Sequence, residues 1–297
     1  MQDVILTHGG AASPSSNSDG CVRAAQAGRA VLDRGGDALA AALAATVMLE
    51  DDPRFNAGTG SNLRLDGALI EMDAAVMSSD ARFGSVACVQ RVKNPVLVAA
   101  RVMETPHLML VGEGATAFAR RHGFEDFDPT TEGARAKLER ALADLRGKGN
   151  GDFTSDAAPW RKSKPAVHWN FAAEPPDCDT VGAVVRDLHG RFAATASTGG
   201  TVFMLRGRVG DSPLMGAGLY AGPHGAVAAT GVGEEIIRRF LAKTVYDWLA
   251  EGIPPARAAQ RAVALFPEIV DVGVLVASKH GHAIASNRDM ASAALTG

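Results

Sequence analysis

The chain has 297 residues, of which 46% are hydrophobic and 21% are charged. This composition is ordinary for a globular protein and argues against a disordered or fibrous one. The formal net charge of -3 provides no broad attraction to nucleic acid or to an anionic membrane, so we expect neither as a partner. The length accommodates one or two domains with a substantial buried core.

Cysteine usage and the N-terminus together predict a cytoplasmic protein. The three cysteines, Cys21, Cys88 and Cys178, are odd in number and widely spaced, which indicates neither a disulfide framework nor a zinc site. The first residues, MQDVILTHGGAAS, lack the basic stretch and the apolar core of a signal peptide. No run of residues approaches the roughly 18 apolar positions that a membrane span needs.

The first half of the chain alternates predicted strands and helices. A short apolar run ends at His8-Gly9-Gly10, which is typical of a buried strand that leads into a tight loop. Asp37 is placed as the N-cap of one helix, and Asn94-Pro95 opens another. The pattern predicts strands over residues 4–7, 68–77, 85–91 and 107–111, and helices over residues 21–33, 38–50, 95–103, 115–121 and 134–146.

The composition changes abruptly between residues 147 and 179, where Gly, Pro, Ser, Lys and Asp dominate. This segment is predicted to be an exposed, mobile linker, because its prolines interrupt any periodicity. Regular patterning then predicts strands over residues 180–186, 192–198, 272–277 and 282–286, and helices over residues 234–250 and 255–265. Strands grouped together with helices outside them predict sheet packed on sheet between helical layers.

The first hairpin after the linker places two threonines opposite each other. With a three-residue loop centred on His189, Thr180 pairs with Thr198. Directly opposed Cβ atoms are about 4.5 to 5.5 Å apart, so a hydrogen bond between the two hydroxyls is expected. The alternative is an ordinary threonine pair in a sheet, which β-branched residues favour. The linker that ends at a potential nucleophile argues for the chemical interpretation.

Arg208 and Asp211 lie three residues apart in a glycine-rich segment that makes little sense as core. Arg offers a bidentate fork for an α-carboxylate, and Asp accepts hydrogen bonds from an α-ammonium group. The pair is therefore a candidate binding site for the charged end of an amino acid. The alternative is a surface salt bridge without a ligand.

Nine short segments occur in a characteristic order along nearly the whole chain. They are His8-Gly9-Gly10-Ala11, Phe55-Asn56-Ala57-Gly58, Met72-Asp73-Ala74, Asn94-Pro95-Val96, Gly112-Glu113-Gly114, Thr180-Val181-Gly182-Ala183-Val184, Ser197-Thr198-Gly199-Gly200, Gly207-Arg208-Val209-Gly210-Asp211-Ser212 and Thr230-Gly231-Val232-Gly233-Glu234. Together they resemble the plant-type L-asparaginase and isoaspartyl peptidase family of N-terminal nucleophile (Ntn) hydrolases. The resemblance implies an α+β fold, a four-layer αββα sandwich, formed by one domain over residues 1–297.

The resemblance also implies how the chain becomes active. The chain would cut itself between Asp179 and Thr180, giving an α subunit of residues 1–179 and a β subunit of residues 180–297. The hydroxyl of Thr180 would then attack the substrate amide, while its freed α-amine, with a reference pKa of about 7.7 to 8.0, takes the proton. Thr198 would support the nucleophile. The implied reactions are hydrolysis of L-asparagine and removal of N-terminal β-aspartyl residues from dipeptides, with no required cofactor.

Further residues acquire roles from the same resemblance. Arg208 would bind the α-carboxylate of the substrate and Asp211 its α-ammonium, while the Thr230 hydroxyl and the Gly231 amide form the oxyanion hole. Asn56 would lie near the nucleophile, although a turn role for Asn in Asn-Ala-Gly remains open. The assembly would be a dimer of processed α–β pairs.

The segment from residue 49 to residue 59 resembles the sodium-binding loop of the family. The implied ligands are all backbone carbonyl oxygens, which suit a hard cation but leave almost no side-chain signature. They belong to Leu49, Glu50, Asp52, Phe55, Ala57 and Thr59. A structural Na⁺ is therefore expected here.

Some positions depart from the family pattern. Asp179 stands where the asparaginase branch usually has Gly, and Asp-Thr is typical of the related glycosylasparaginases. Gly199 and Glu234 favour the asparaginase and isoaspartyl branch. Val232 and Thr201 replace a more usual Thr and Met near the pocket, so the preference between asparagine and β-aspartyl peptides stays open. The alternatives are a glycosylasparaginase-like amidase and an unprocessed, non-catalytic binding protein with the same fold.

Overall fold

The computed structural model describes residues 2–147, 180–202 and 204–297. The predicted linker beyond residue 147, with Asp179 at its end, lies outside the described residues. The described part of the chain forms two β-sheets that are covered by helices.

Seven strands form the larger sheet in the order β11-β1-β5-β6-β2-β3-β4, and four form the smaller sheet in the order β10-β9-β8-β7. The larger sheet contains β1 Val4–His8, β2 Met72–Ser78, β3 Phe83–Val89, β4 Met109–Val111, β5 Val181–Arg186, β6 Phe192–Thr198 and β11 Ser292–Thr296. The smaller sheet contains β7 Leu219–Gly222, β8 Gly225–Gly231, β9 Val272–Ser278 and β10 Gly281–Ser286. Neighbouring strands are antiparallel, except for the parallel pair β3 and β4.

The helices are α1 Ser18–Asp33, α2 Ala38–Glu50, α3 Pro95–Val102, α4 Gly112–Arg121, α5 Glu132–Gly147, α6 Gly233–Arg239, α7 Leu241–Ala250 and α8 Pro255–Val263. The predicted N-cap at Asp37 is confirmed, because its carboxylate accepts a hydrogen bond from the Ala40 N–H at 2.8 Å. Within the described residues, no helix is both long enough and apolar enough to cross a membrane.

Alternation along the strands divides the core into layers. In β8, Ala226 and Ala228 face the larger sheet, whereas Val227 and Ala229 face the other way, into the cluster that contains α7 and α8. In β5, Val184 faces the smaller sheet, and Val185 packs against α1 and α2. Each sheet is thus buried on both faces, once by the other sheet and once by helices. The predicted α+β fold with four αββα layers is confirmed.

The structure differs from the predicted elements near the end of β8. The helix predicted over residues 234–250 is wrong as one unit, because Phe240 adopts a left-handed conformation (φ 43°, ψ 50°) that separates α6 from α7. The Arg239 carbonyl there accepts a hydrogen bond from the Thr244 hydroxyl at 2.9 Å. Tertiary packing overrides helix propensity at this point.

Candidate active site

A small cleft lies where the ends of β5, β6 and β8 meet. It is lined by Thr180, Thr198, Gly200, Thr201, Arg208, Asp211, Gly231 and Gly233. Five of the predicted site residues are therefore brought together from four separate segments of the chain.

The register of the β5–β6 hairpin places Thr180 opposite Thr198. Val181 pairs with Ser197, as the predicted three-residue loop requires. The same register continued by one residue puts Thr180, directly before β5, opposite Thr198. Thr180 is only 4% exposed. The Thr198 hydroxyl accepts a hydrogen bond from the Gly200 N–H at 2.8 Å, so it also fixes the start of the loop that follows β6.

A histidine packs tightly against strand β5, directly after Thr180. His8 in β1 pairs in register with Gly182, and a Cβ added at Gly182 would lie only 2.6 Å from His8 Nε2. A glycine is therefore required two residues after Thr180. Burial lowers the pKa of His8 to about 3, so its imidazole is neutral at physiological pH.

The end of β8 carries the two residues that were predicted to form an oxyanion hole. The Thr230 hydroxyl donates to the Thr180 carbonyl oxygen at 3.5 Å, and it accepts from the Ala11 N–H at 3.2 Å. Gly231 follows directly and lines the cleft. Both predicted donors thus lie beside Thr180, and their function as an oxyanion hole stays a prediction.

Arg208 makes a contact that the sequence interpretation did not anticipate. Its Nε and Nη2 atoms donate to the two carboxylate oxygens of Glu234, each at 2.9 Å, in a bidentate ion pair. Burial opposes ionisation of Glu234, but the charge and hydrogen bonds of Arg208 outweigh it and lower the pKa of Glu234. The guanidinium of Arg208 is thereby held at the wall of the cleft.

Asp211 is a buried carboxylate that faces the cleft and is 3% exposed. Burial raises the pKa of Asp211 to about 7, and the nearby charge of Arg208 opposes this effect only in part. Among the described residues, no group donates a hydrogen bond to Asp211 Oδ2. A cation in the cleft would satisfy this oxygen.

Gly233 keeps the space between these two charged groups open. A Cβ added there would lie 2.9 Å from Arg208 Nη2 and 2.9 Å from Asp211 Oδ1. Any larger residue would intrude between the guanidinium and the carboxylate. Sequence reasoning missed Gly233 as a site residue, although its place directly before Glu234 in a recognised segment was a signal.

Asn56 supports the site from behind and does not line the cleft. Its side-chain amide donates to the Gly200 carbonyl, and its Oδ1 accepts from the Asn62 N–H at 3.0 Å. Its own carbonyl accepts from the Gly199 N–H at 2.9 Å. These contacts hold the loop beside Thr198, and a role for Asn56 in binding substrate stays a prediction.

The end of α2 and the loop after it carry the backbone carbonyls that were predicted to bind a cation. Gly58 is close enough to Glu50 that an added Cβ would lie 2.5 Å from the Glu50 carbonyl oxygen. The carbonyls of Asp52 and Phe55 each accept one backbone hydrogen bond, at 3.1 and 3.0 Å, and each oxygen retains a second lone pair. Backbone oxygens of this kind suit a hard cation. The sodium site stays a prediction.

Comparison with known proteins identifies the family. The model of the asparaginase family matches residues 1–296. The plant-type L-asparaginase of Pyrococcus furiosus is 39% identical over 293 residues, which cover 94% of this chain and 90% of that protein. The isoaspartyl peptidase/L-asparaginase of Homo sapiens is 37% identical over 300 residues, covering 96% and 90%, and that of Danio rerio is 39% identical over 298 residues, covering 95% and 87%. With this match and the cleft at Thr180, the chain belongs to the asparaginase family.

Proposed function

We propose that the chain is a threonine amidohydrolase that cuts itself before Thr180 and then hydrolyses L-asparagine and N-terminal β-aspartyl dipeptides. The observation that carries the proposal is the cleft, which joins a buried threonine hydroxyl to a guanidinium and a carboxylate. The names of the relatives, L-asparaginase and isoaspartyl peptidase, support the choice of substrates.

Self-cleavage converts an amide nitrogen into a catalytic base. The Thr180 hydroxyl oxygen attacks the carbonyl carbon of Asp179, the peptide bond breaks, and an ester forms between the two residues. Water then hydrolyses the ester, which leaves a carboxylate on Asp179 and a free α-amine on Thr180. Before this step the nitrogen of Thr180 belongs to a peptide bond and cannot accept a proton. The uncut chain is therefore inactive on the substrates.

Turnover uses the hydroxyl and the amine of the same residue. The Thr180 oxygen attacks the side-chain amide carbon of the substrate, and the α-amine takes the hydroxyl proton and passes it to the leaving ammonia or amine. Charge that develops on the substrate oxygen is stabilised by the Thr230 hydroxyl and the Gly231 N–H. An aspartyl ester remains on Thr180. Water attacks this ester and releases aspartate.

The substrate binds through its charged end. Its α-ammonium meets the buried carboxylate of Asp211, and its α-carboxylate competes with Glu234 for the guanidinium of Arg208. Bidentate recognition of a carboxylate by Arg fixes the direction of the ligand as well as its position. The amide of the substrate side chain is thereby directed at Thr180.

Three further features belong to the same proposal. Na⁺ would be held by the carbonyls of the loop from residue 49 to residue 59, where it would stabilise the loop that carries Asn56 and take no part in the chemistry. The processed pairs would form a dimer, as the family resemblance implies. A reducing cytoplasm agrees with Cys21 and Cys88, which are buried free thiols.

Intact mass spectrometry of the purified chain tests the self-cleavage. After ageing at neutral pH we expect two fragments, residues 1–179 and 180–297, that together account for the whole sequence. Thr180→Ala should stay whole, because it lacks the attacking oxygen. Thr180→Ser keeps a hydroxyl and should still be cut, which makes it the matched control.

Release of aspartate from L-asparagine and from β-aspartyl dipeptides then ranks the substrates. The cut protein should act on both classes, and the whole Thr180→Ala chain should act on neither. A wild type that stays whole and releases no aspartate would support the binding-protein alternative. Faster hydrolysis of a glycosylated asparagine than of free asparagine would support the glycosylasparaginase-like alternative.

A further inference from the structure

Two buried carboxylates accept hydrogen bonds from the segment that carries Arg208. The Gly207 N–H donates to Glu71 Oε2 at 2.8 Å, and the Gly210 N–H donates to Asp73 Oδ2 at 3.1 Å. These two backbone groups flank Arg208 on either side. Asp73 is 2% exposed and Glu71 is 6% exposed, so both contacts are shielded from water. We call Glu71 and Asp73 the acidic clamp.

An irregularity in β2 accompanies the contact that Asp73 makes. The pairing of β2 with β3 shifts between Met72 and Ala74, and Cys88 opposite has a positive φ of 51°. The Cys88 N–H then donates to Asp73 Oδ1 at 2.8 Å. A non-glycine residue in this conformation is strained, and such strain persists only where surrounding contacts enforce it. Both oxygens of Asp73 are thus committed to backbone N–H groups.

The same residue is connected to the nucleophile. On the other side of β2, Asp73 pairs in regular register with Thr198, the threonine that lies opposite Thr180. Asp73 therefore contacts the segment of Arg208 through its side chain and the nucleophile hairpin through its backbone. It fixes the distance between the two halves of the cleft.

Glu71 has its own supporting partner. Its Oε2 atom also accepts from Arg64 Nε at 2.8 Å, and Arg64 is 1% exposed. The Arg64 Nη2 atom reaches the Arg208 carbonyl oxygen at 3.5 Å. Arg64 thus supplies the positive charge that a carboxylate needs at a position shielded from water. Removal of one charge from such a pair is strongly unfavourable.

We propose that Glu71 and Asp73 are positioning residues that set the affinity and selectivity for the α-ammonium and α-carboxylate of the substrate, by holding Arg208 and Asp211 at a fixed distance from Thr180. This inference rests on the proposed function and adds residues that do not touch the substrate. The clamp acts on binding of the charged end, whereas the groups that react at Thr180 are left in place.

Asp73→Asn tests the proposal. The Asn side chain has the same shape but only one acceptor oxygen, whereas the Cys88 and Gly210 N–H groups each need an acceptor. We expect the Michaelis constant for L-asparagine to rise about tenfold or more, as follows from the loss of one hydrogen bond to a charged acceptor. Succinamate, which is L-asparagine without its α-amino group, should be affected much less, because the Gly210 N–H that Asp73 holds belongs to the residue directly before Asp211. The selectivity for L-asparagine over succinamate should fall about tenfold, with kcat changed by less than about threefold.

Self-cleavage serves as an internal check on folding, because the clamp is not part of the cleavage chemistry. Asp73→Asn should be cut at Thr180 to completion. Asp80→Asn removes an exposed carboxylate just beyond β2 and should leave cleavage and kinetics unchanged. If Asp73→Asn does not accumulate as folded protein, Glu71→Gln tests the other end of the clamp. Because Glu71 holds the residue directly before Arg208, this variant should raise the Michaelis constants for both substrates with kcat nearly unchanged.

The outcomes separate the clamp from the proposed function. A wild type that is neither cut nor active overturns the proposed function and with it the clamp. If the wild type is active, and Asp73→Asn raises the Michaelis constants for L-asparagine and succinamate equally or raises neither, the clamp alone is overturned. Failure of both variants to fold also overturns it, since the acids would then serve stability only.

Discussion

Asp211 should make the uncut protein less stable as the pH rises. The perturbation is Asp211→Asn, made in a Thr180→Ala background so that the chain stays whole during unfolding. Burial raises the pKa of Asp211 from 3.8 to about 7, so the folded chain binds this proton more tightly than the unfolded chain does. Ionisation of Asp211 therefore favours unfolding. The destabilisation begins near the ordinary pKa of aspartate and is complete above the folded pKa of about 7.

The size of the effect follows from the shift. Roughly 3 pKa units at 1.36 kcal/mol each give about 4 kcal/mol of destabilisation above pH 7. At pH 5, just over one unit above the ordinary pKa of aspartate, the destabilisation is only about a third of this value. Asn carries no charge at either pH. The free energy of unfolding of Asp211→Asn, relative to its parent, should thus increase by about 2 to 3 kcal/mol between pH 5 and pH 8.

Urea unfolding at the two pH values measures this difference. The cost of burying the uncharged Asn amide is the same at both pH values, so it cancels when the pH dependences are compared. Asp80→Asn is the control. Its hydrogen bond to Ser78 and its pairing with Arg82 lower the pKa of Asp80, so this residue is ionised at both pH values and should change the pH dependence little. Parallel pH dependences for Asp211→Asn and its parent would refute the reasoning, because Asp211 would then ionise as freely as an exposed aspartate.

Three further predictions concern the processed enzyme in steady-state kinetics. The Michaelis constant for L-asparagine should rise about tenfold per pH unit below pH 7, because Asp211 takes up a proton and loses its attraction for the α-ammonium. In Asp211→Asn, this rise of the Michaelis constant at low pH should be absent. Gly233→Ala should raise the Michaelis constant with a smaller effect on kcat, since its methyl group would lie 2.9 Å from Arg208 and Asp211; an unchanged constant would show that the two groups simply move apart. Thr230→Val should lower kcat by about 100-fold or more through loss of an oxyanion donor, and a change below about threefold would remove this hydroxyl from the mechanism.

The parts of the site that could be predicted from sequence are those that short-range geometry decides. The loop length of the β5–β6 hairpin fixes its register, and register fixes that Thr180 faces Thr198. The N-cap at Asp37 follows from local chemistry in the same way. The roles of Arg208 and Asp211 rested on their charges and on family resemblance, and the structure adds that both line one cleft with Thr180.

The parts that were missed depend on contacts between distant segments. The partner of Arg208 is Glu234, 26 positions along the chain, and no spacing rule relates the two. Strands β7 and β8 were overlooked because they are rich in Ala and Gly and poor in the β-branched residues that mark strands. Their small side chains allow the two sheets to pack closely, which is a tertiary requirement. The left-handed conformation of Phe240 was likewise not predictable, because no Gly or Pro marks a helix break at this position.

The charges of the cleft explain why a zwitterionic substrate suits it. The cleft already holds the ion pair of Arg208 and Glu234, and beside it lies Asp211, with a raised pKa and one oxygen that no described residue satisfies. An amino-acid ammonium supplies the cation that Asp211 lacks, and the accompanying carboxylate takes a share of the guanidinium. A ligand with only a carboxylate would leave Asp211 unpaired, and a simple amine would leave the direction of binding undefined. Discrimination thus comes from the unpaired charge that an incorrect ligand leaves buried, which is costly because Asp211 is shielded from water.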